Sequence, residues 1–259
     1  MYLSEFFGDA DDEIIGCIHC KGAKPLQMHL KMAFQPIVDV DARKVFAYEA
    51  LVRGENGESA WSVLSAVAPE DMYSFDQTCR VLAIETAQRL GMDTYLSINF
   101  LPNAVYEPAT CIRLTLAAAR KVGFSPEKLI FEMTESEKIS DPAHALRIIK
   151  DYQRRGFLTA IDDFGAGHSG LNLLAEFQPH IVKLDMALTR DIDKDRVRQA
   201  IVGGVIGTCR ALGCRIVAEG VESQEELNTL RKMGINLIQG YLLAKPGLEC
   251  LPEPDYSVC

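Results

Sequence analysis

The strongest constraint on this chain is a regular alternation of two kinds of segment. Six short runs rich in Val, Ile, Leu, Phe and Tyr read as strands: "TYLSINF" (94–100), "KLIFEMTE" (128–135), "FLTAIDD" (157–163), "HIVKLD" (180–185), "CRIVAEG" (214–220) and "INLIQGY" (235–241). Between them lie helical patterns. "ATCIRLTLAAARKVG" ends on Gly123, and "SDPAHALRIIKDYQRRG" offers Ser140 as a cap with Pro142 in the first turn. A short helix is expected near Leu171 to Glu176, followed by helices over "RVRQAIVGGVIGTCRALG" and "SQEELNTLRKMG". Repeated strand–helix units imply a parallel sheet with helices packed outside it.

Upstream, "MAFQPIVDV" and "KVFAYEALVR" are also β-like, with only Asp41 to Arg43 between them. So short a connection fits an antiparallel hairpin and excludes a parallel crossover. Helical patterns follow over Ala60 to Ala68 and Asp71 to Leu90. Eight strands in this order predict an α/β fold, a modified (β/α)8 TIM-like barrel with an antiparallel strand from the opening hairpin. An open doubly wound sheet is the competing arrangement, but its GxGxxG turn is absent, and "GGVIG" falls inside a helical pattern. The expected organisation is an N-terminal extension over residues 1–24 and one domain over 25–259.

A 48% hydrophobic content in 259 residues suffices for a packed core. A net charge of −9 argues against binding polymeric nucleic acid, so a phosphate-bearing ligand would need a cation or a local basic patch. No apolar run approaches the ~20 residues that span a bilayer. "MYLSEFFGDADDE" lacks the basic and apolar blocks of a signal peptide, so the expected location is the cytoplasm, with no membrane partner. Eight cysteines scattered through a long chain read as reduced thiols. Cys17 and Cys20 form a CxxC, with His19 or His29 as a third zinc ligand, but no second pair completes a tetrahedral set. A structural or incidental role is expected for it, and zinc or redox gating is the alternative.

The polar residues fall at telling places. Glu49, Asn99 and Glu132 stand near the ends of the second, third and fourth strands. Asp162 and Asp163 end the fifth, Lys183 and Asp185 the sixth, Glu219 the seventh and Gln239 the eighth. Taken singly, each could be a helix cap, a turn residue or a solvated side chain. In a closed barrel all these ends meet at one mouth. Two like charges ~4 Å apart repel by about 4 kcal/mol at an effective dielectric near 20. The carboxylates of Glu49, Glu132, Asp162, Asp163 and Glu219 therefore need compensation beyond Lys183. All-oxygen ligands suit two divalent ions, Mg2+ or Mn2+, with Asp162 bridging and Asp163 completing one shell. The glycines at 165, 167 and 170 would let the following loop approach closely.

In order along the chain, "FQPI", "EALVR", "SINF", "FEMTE", "DDFGAGHSGL", "KLD", "AEGVE" and "QGYLLAKP" resemble the motif series of the EAL-domain family, from about Met32 to Pro246. The resemblance implies a bacterial phosphodiesterase that opens cyclic di-GMP to linear pGpG and works as a homodimer. It implies metal ligation by Glu49, Asn99, Glu132 and bridging Asp162, with Asp163 on the second ion and Glu219 and Gln239 acting directly or through water. Lys183 would orient the attacking water and assist its deprotonation. Glu135 would steady the loop after Asp163, and Glu222 would stand behind the lysine region. Gln35, Leu51 and Arg53 would contact the dinucleotide, Arg53 through phosphate. The chain departs from the family pattern at Gly54, where tryptophan is usual, and at Ala166, His168 and Gly170 in the loop. A catalytically silent receptor is the alternative function; the complete acidic set argues against it.

Overall fold

The computed structural model describes residues 28–135, 139, 141–167 and 170–259. The extension over 1–24 with its CxxC, and the anticipated cap Ser140 and loop residue His168, lie outside the described residues. Strands β1 (Leu30–Asp39), β2 (Lys44–Gly54), β3 (Tyr95–Asn99), β4 (Leu129–Thr134), β5 (Leu158–Phe164), β6 (Ile181–Leu184), β7 (Arg215–Ala218) and β8 (Leu237–Ile238) follow one another around a closed barrel. Helices α1 (Ala60–Ala66), α2 (Met72–Arg89), α3 (Pro108–Val122), α4 (Pro142–Arg154), α5 (Gly170–Phe177), α6 (Met186–Thr189), α7 (Arg196–Leu212) and α8 (Gln224–Met233) fill the connections.

β1 closes the ring. It pairs antiparallel with β2 along its whole length, from Leu30 opposite Gly54 to Asp39 opposite Lys44. The Asp39 carboxylate accepts the Ala42 amide at 3.0 Å, and Arg43 takes a positive φ of 50°, which reverses the chain in the few residues available. On its other edge β1 meets β8 at Val38 and Asp39. A further strand, β9 (Gly247–Leu248), pairs with Ala33 and Phe34 higher up, so the short β8 and β9 share this edge. β9 has no alternating apolar pattern by which the sequence announces it. The strands from β2 to β8 are parallel, as the crossover helices require.

Helix ends follow local chemistry. Asp141 caps α4 by accepting the His144 amide, and Pro142 occupies the first turn. Ser223 and Glu226 form a reciprocal capping box on α8, which Gly234 terminates at φ 95°.

Inside the barrel, Ile37, Ala47, Ile130, Ala160, Ile181, Val217 and Leu237 pack into one apolar layer. Side chains two residues apart on a strand share a face. The next interior position toward the C-terminal mouth is therefore Gln35, Glu49, Glu132, Asp162, Lys183, Glu219 and Gln239. An apolar floor thus carries a polar layer directly above it. Among the described residues no helix is long and apolar enough to cross a membrane.

Candidate active site

Strand closure converts that polar layer into a cluster. Oxygen atoms of Glu49, Glu132 and Asp162 lie within 4.8 Å of one another, and so do those of Asp162, Asp163 and Glu219. Asp162 belongs to both groups. Consecutive strand residues normally point to opposite faces, so Asp163 needs a reason to join its neighbour. The reason is a bulge: the β5–β6 register shifts between Ile161 and Phe164, and Asp163 adopts a φ of 54°. This left-handed kink swings the second carboxylate back to the mouth.

Lys183 sits fully buried at the centre. Its Nζ lies 3.2 Å from Glu49, 2.9 Å from Glu132, 2.9 Å from Asp162 and 2.8 Å from Glu219. Burial works against its charge, but Asp162, Glu132, Glu219 and Glu49 hold its pKa well above the usual lysine range. An ammonium has three protons for these four carboxylates. Asp162 Oδ1 accordingly has no hydrogen-bond partner despite its proximity, and the buried Gln239 Oε1 has none either.

The carboxylates resist ionising together. Burial pushes Glu132 up to about 8 against the pull of Lys183, with Glu49 and Asp162 adding to the rise. Burial and then the Asp162 charge raise Asp163 to about 6. Burial likewise drives Glu219 well above the usual carboxylate range. A divalent cation fits these residues on three counts: the oxygen atoms converge, buried acceptors lack donors, and negative charge is in excess.

Neighbouring groups fix the layer. Asn99 donates to Glu49 Oε1 at 3.2 Å. Gln239 donates to Glu49 Oε2 at 2.7 Å and to Gln35 Oε1 at 3.4 Å, while Gln35 reaches the Ala244 carbonyl at 3.2 Å. The Ser97 hydroxyl donates to Glu132. Sequence reasoning passed over Ser97, although its position two before Asn99 marks it as interior. Glu135 accepts the amides of Gly165 at 2.7 Å and Gly170 at 2.6 Å, tying down the loop after Asp163.

Glu222 is exposed and pairs with Arg190 at 2.8 Å, while the Lys183 ammonium is ringed by the four carboxylates above. The residue that braces this side is Glu226, whose buried carboxylate accepts the amides of Asp191, Glu222 and Ser223 at 2.8, 3.0 and 3.1 Å. Its signal in the sequence was the Ser223-x-x-Glu226 capping box.

A cavity of about 330 Å³, lined by Leu51, Asn99, Leu101 and Thr134 among others, opens beside the cluster. Arg53, farther along β2, turns its guanidinium to the Val52 carbonyl at 2.8 Å. A larger groove of about 830 Å³ runs between Tyr106 and Arg154, but none of the clustered carboxylates lines it. Chemistry, not size, locates the site.

The profile described as "EAL domain" matches residues 24–246. The chain belongs to the EAL domain family. The EAL fold here is similar to the crystal structure of a standalone versatile EAL protein from Vibrio cholerae O395 in its c-di-GMP bound form. The two share 51% identity and a TM-score of 0.87, covering 90% of this chain and 98% of that one. It is also similar to a manganese/cy-diGMP complex of Klebsiella pneumoniae BlrP1, at 37% identity and a TM-score of 0.83, covering 88% of this chain and 58% of the other. Among curated relatives, the antirepressor BluF of Escherichia coli is 34% identical over 222 residues, 85% of this chain and 55% of BluF. The cyclic di-GMP phosphodiesterase RocR of Pseudomonas aeruginosa is 34% identical over 168 residues, 65% of this chain and 42% of RocR. The EAL chain spans about half the length of these curated relatives.

Proposed function

We propose that this EAL chain hydrolyses cyclic di-GMP to linear pGpG, opening one phosphodiester bond with two divalent cations, Mg2+ or Mn2+. The observation that carries the reading is the pair of carboxylate groups that share Asp162. Glu49, Asn99, Glu132 and Asp162 would hold one ion; Asp162, Asp163 and Glu219 would hold the other, with Gln239 assisting directly or through water. Cations held there would acidify water and neutralise charge on the phosphoryl oxygens.

The protein's own groups supply the rest. Lys183, kept charged by its ring of carboxylates, orients the attacking water and favours its ionisation electrostatically. Glu135 holds the loop that carries the glycines against the site. Gln35 and Leu51 contact the dinucleotide, and Arg53 is freed from its neighbouring carbonyl to pair with a phosphate oxygen. Glu222, paired with Arg190, stands behind the lysine region. The protein works as a cytoplasmic homodimer, without polymeric nucleic acid or membrane as partner.

The test is turnover of cyclic di-GMP by purified protein with Mg2+ or Mn2+, abolished in Glu49→Ala. Calorimetric binding of the dinucleotide with no hydrolysis under any divalent ion would instead support a silent receptor.

A further inference from the structure

Among the described residues, one more ion pair is buried outside the polar layer. Arg80 is among the largest fully buried side chains, and its Nη2 lies 2.7 Å from Asp76 Oδ2, one turn earlier on α2. Nη1 donates to the Tyr152 hydroxyl on α4 at 2.9 Å. The guanidinium stands 5.5 Å from the centre of the Phe100 ring and 5.7 Å from that of Phe131. Asp76 Oδ1 accepts the Leu101 amide at 3.0 Å.

Stability alone explains this arrangement poorly. A buried ion pair is often replaceable by apolar residues of similar volume at no loss. Here the network is also incompletely satisfied, since Arg80 Nε and the buried Gln77 Oε1 have no hydrogen-bond partner. What the pair touches is more informative. Phe100 follows Asn99, and Phe131 precedes Glu132. By strand alternation, Asn99 and Glu132 face the barrel interior while their neighbours face outward to the helices. The two strand ends are already joined at this point, because the Phe100 amide donates to the Glu132 carbonyl at 3.0 Å.

We propose that the Asp76–Arg80 pair is a positioning device, fixing from behind the strand ends that present Asn99 and Glu132 to a divalent cation. Asp76 pins the backbone two residues beyond Asn99, and Arg80, anchored by Tyr152, sets the rings on either side of the junction. The inference rests on the reading of Asn99 and Glu132 as metal ligands.

The experiment compares the full chain with its Asp76→Leu/Arg80→Met double variant, which removes both charges together. Mn2+ affinity is measured by electron paramagnetic resonance, Tm by calorimetry, and kcat and KM by product formation. The expected result is Mn2+ binding weaker by roughly 10- to 100-fold with Tm nearly unchanged. A merely structural role would move Tm and leave Mn2+ affinity alone, and that result overturns the proposal. If the double variant does not fold, Tyr152→Phe decides: weakening of Mn2+ binding by about threefold or more supports the device, and wild-type affinity overturns it. A wild-type chain that binds no Mn2+ fails the functional reading and this proposal together. A wild type and double variant that bind it equally overturn the positioning role alone.

Discussion

The Glu135 carboxylate accepts the Gly170 amide at 2.6 Å, joining the end of β4 to the first residue of α5 across the loop that follows the paired aspartates. A Cβ at Gly170 would lie 2.9 Å from Glu135 Oε2 and 3.0 Å from the Phe164 ring, so the Glu135 carboxylate would have to shift to admit it. Glu135→Ala should therefore release the loop, lowering kcat by one to two orders of magnitude with a small change in Tm. Gly170→Ala should give the same pattern. Steady-state kinetics beside a thermal melt checks both, and unimpaired turnover in either would remove the loop from the mechanism.

Removing the central ammonium should expose the repulsion it offsets. Lys183→Met leaves Glu49, Glu132, Asp162 and Glu219 without their shared counter-charge. Breaking a buried pair from one side costs about 3–5 kcal/mol. Tm of the metal-free variant should fall by roughly 10 °C, and Mg2+ should restore more of it than it adds to the wild type. Turnover should be lost even with metal, as the product assay would show.

Stability without metal should decline with rising pH. Glu132 has its pKa raised from 4.5 to about 8 in the folded chain, and Asp163 from 3.8 to about 6. Folding therefore favours their protonated forms, a contribution complete below the unfolded values and lost as pH climbs through the folded ones. Melting in EDTA between pH 5 and 9 should show Tm falling most steeply below about 6, where both groups hold protons only in the folded chain, and more gently up to about 8, where Glu132 alone does. Divalent cations compete with these protons, so saturating Mg2+ should flatten the profile. A Tm that rises over this range in EDTA would contradict the electrostatic account.

The kink at Asp163 makes a distinction between two substitutions. Asparagine tolerates the left-handed region and should leave Tm nearly unchanged, whereas a β-branched valine at φ 54° should cost about 1–3 kcal/mol. Both remove a carboxylate, so both should weaken binding of the second Mn2+, measured by calorimetry. Equal Tm values for Asp163→Asn and Asp163→Val would mean that the backbone there is unstrained.

Much of this was legible in residue order. The Asp41 to Arg43 connection is too short for anything but a hairpin, and the later strands are separated by helix-length segments, so direction and order follow from chain geometry. Interior positions were legible too, since Ile130 and Glu132, or Val217 and Glu219, obey a period of two that any strand imposes. Partners along a loop were not legible, because spacing there carries no such period: the Glu222 carboxylate pairs with Arg190, and Glu226 takes the amides of Asp191, Glu222 and Ser223. The Asp76–Arg80 pair was invisible for a similar reason, being a helical i,i+4 spacing that elsewhere marks a solvated surface.

The sequence by itself determined which residues could reach the mouth, because alternation and helix length are local properties written in the order of side chains. Only the tertiary structure decided that four carboxylates would close on one ammonium and that two adjacent aspartates would face the same way. Those outcomes depend on β1 sealing the ring and on one residue entering the left-handed region. Local chemistry permits that conformation at an aspartate, and the surrounding barrel imposes it here.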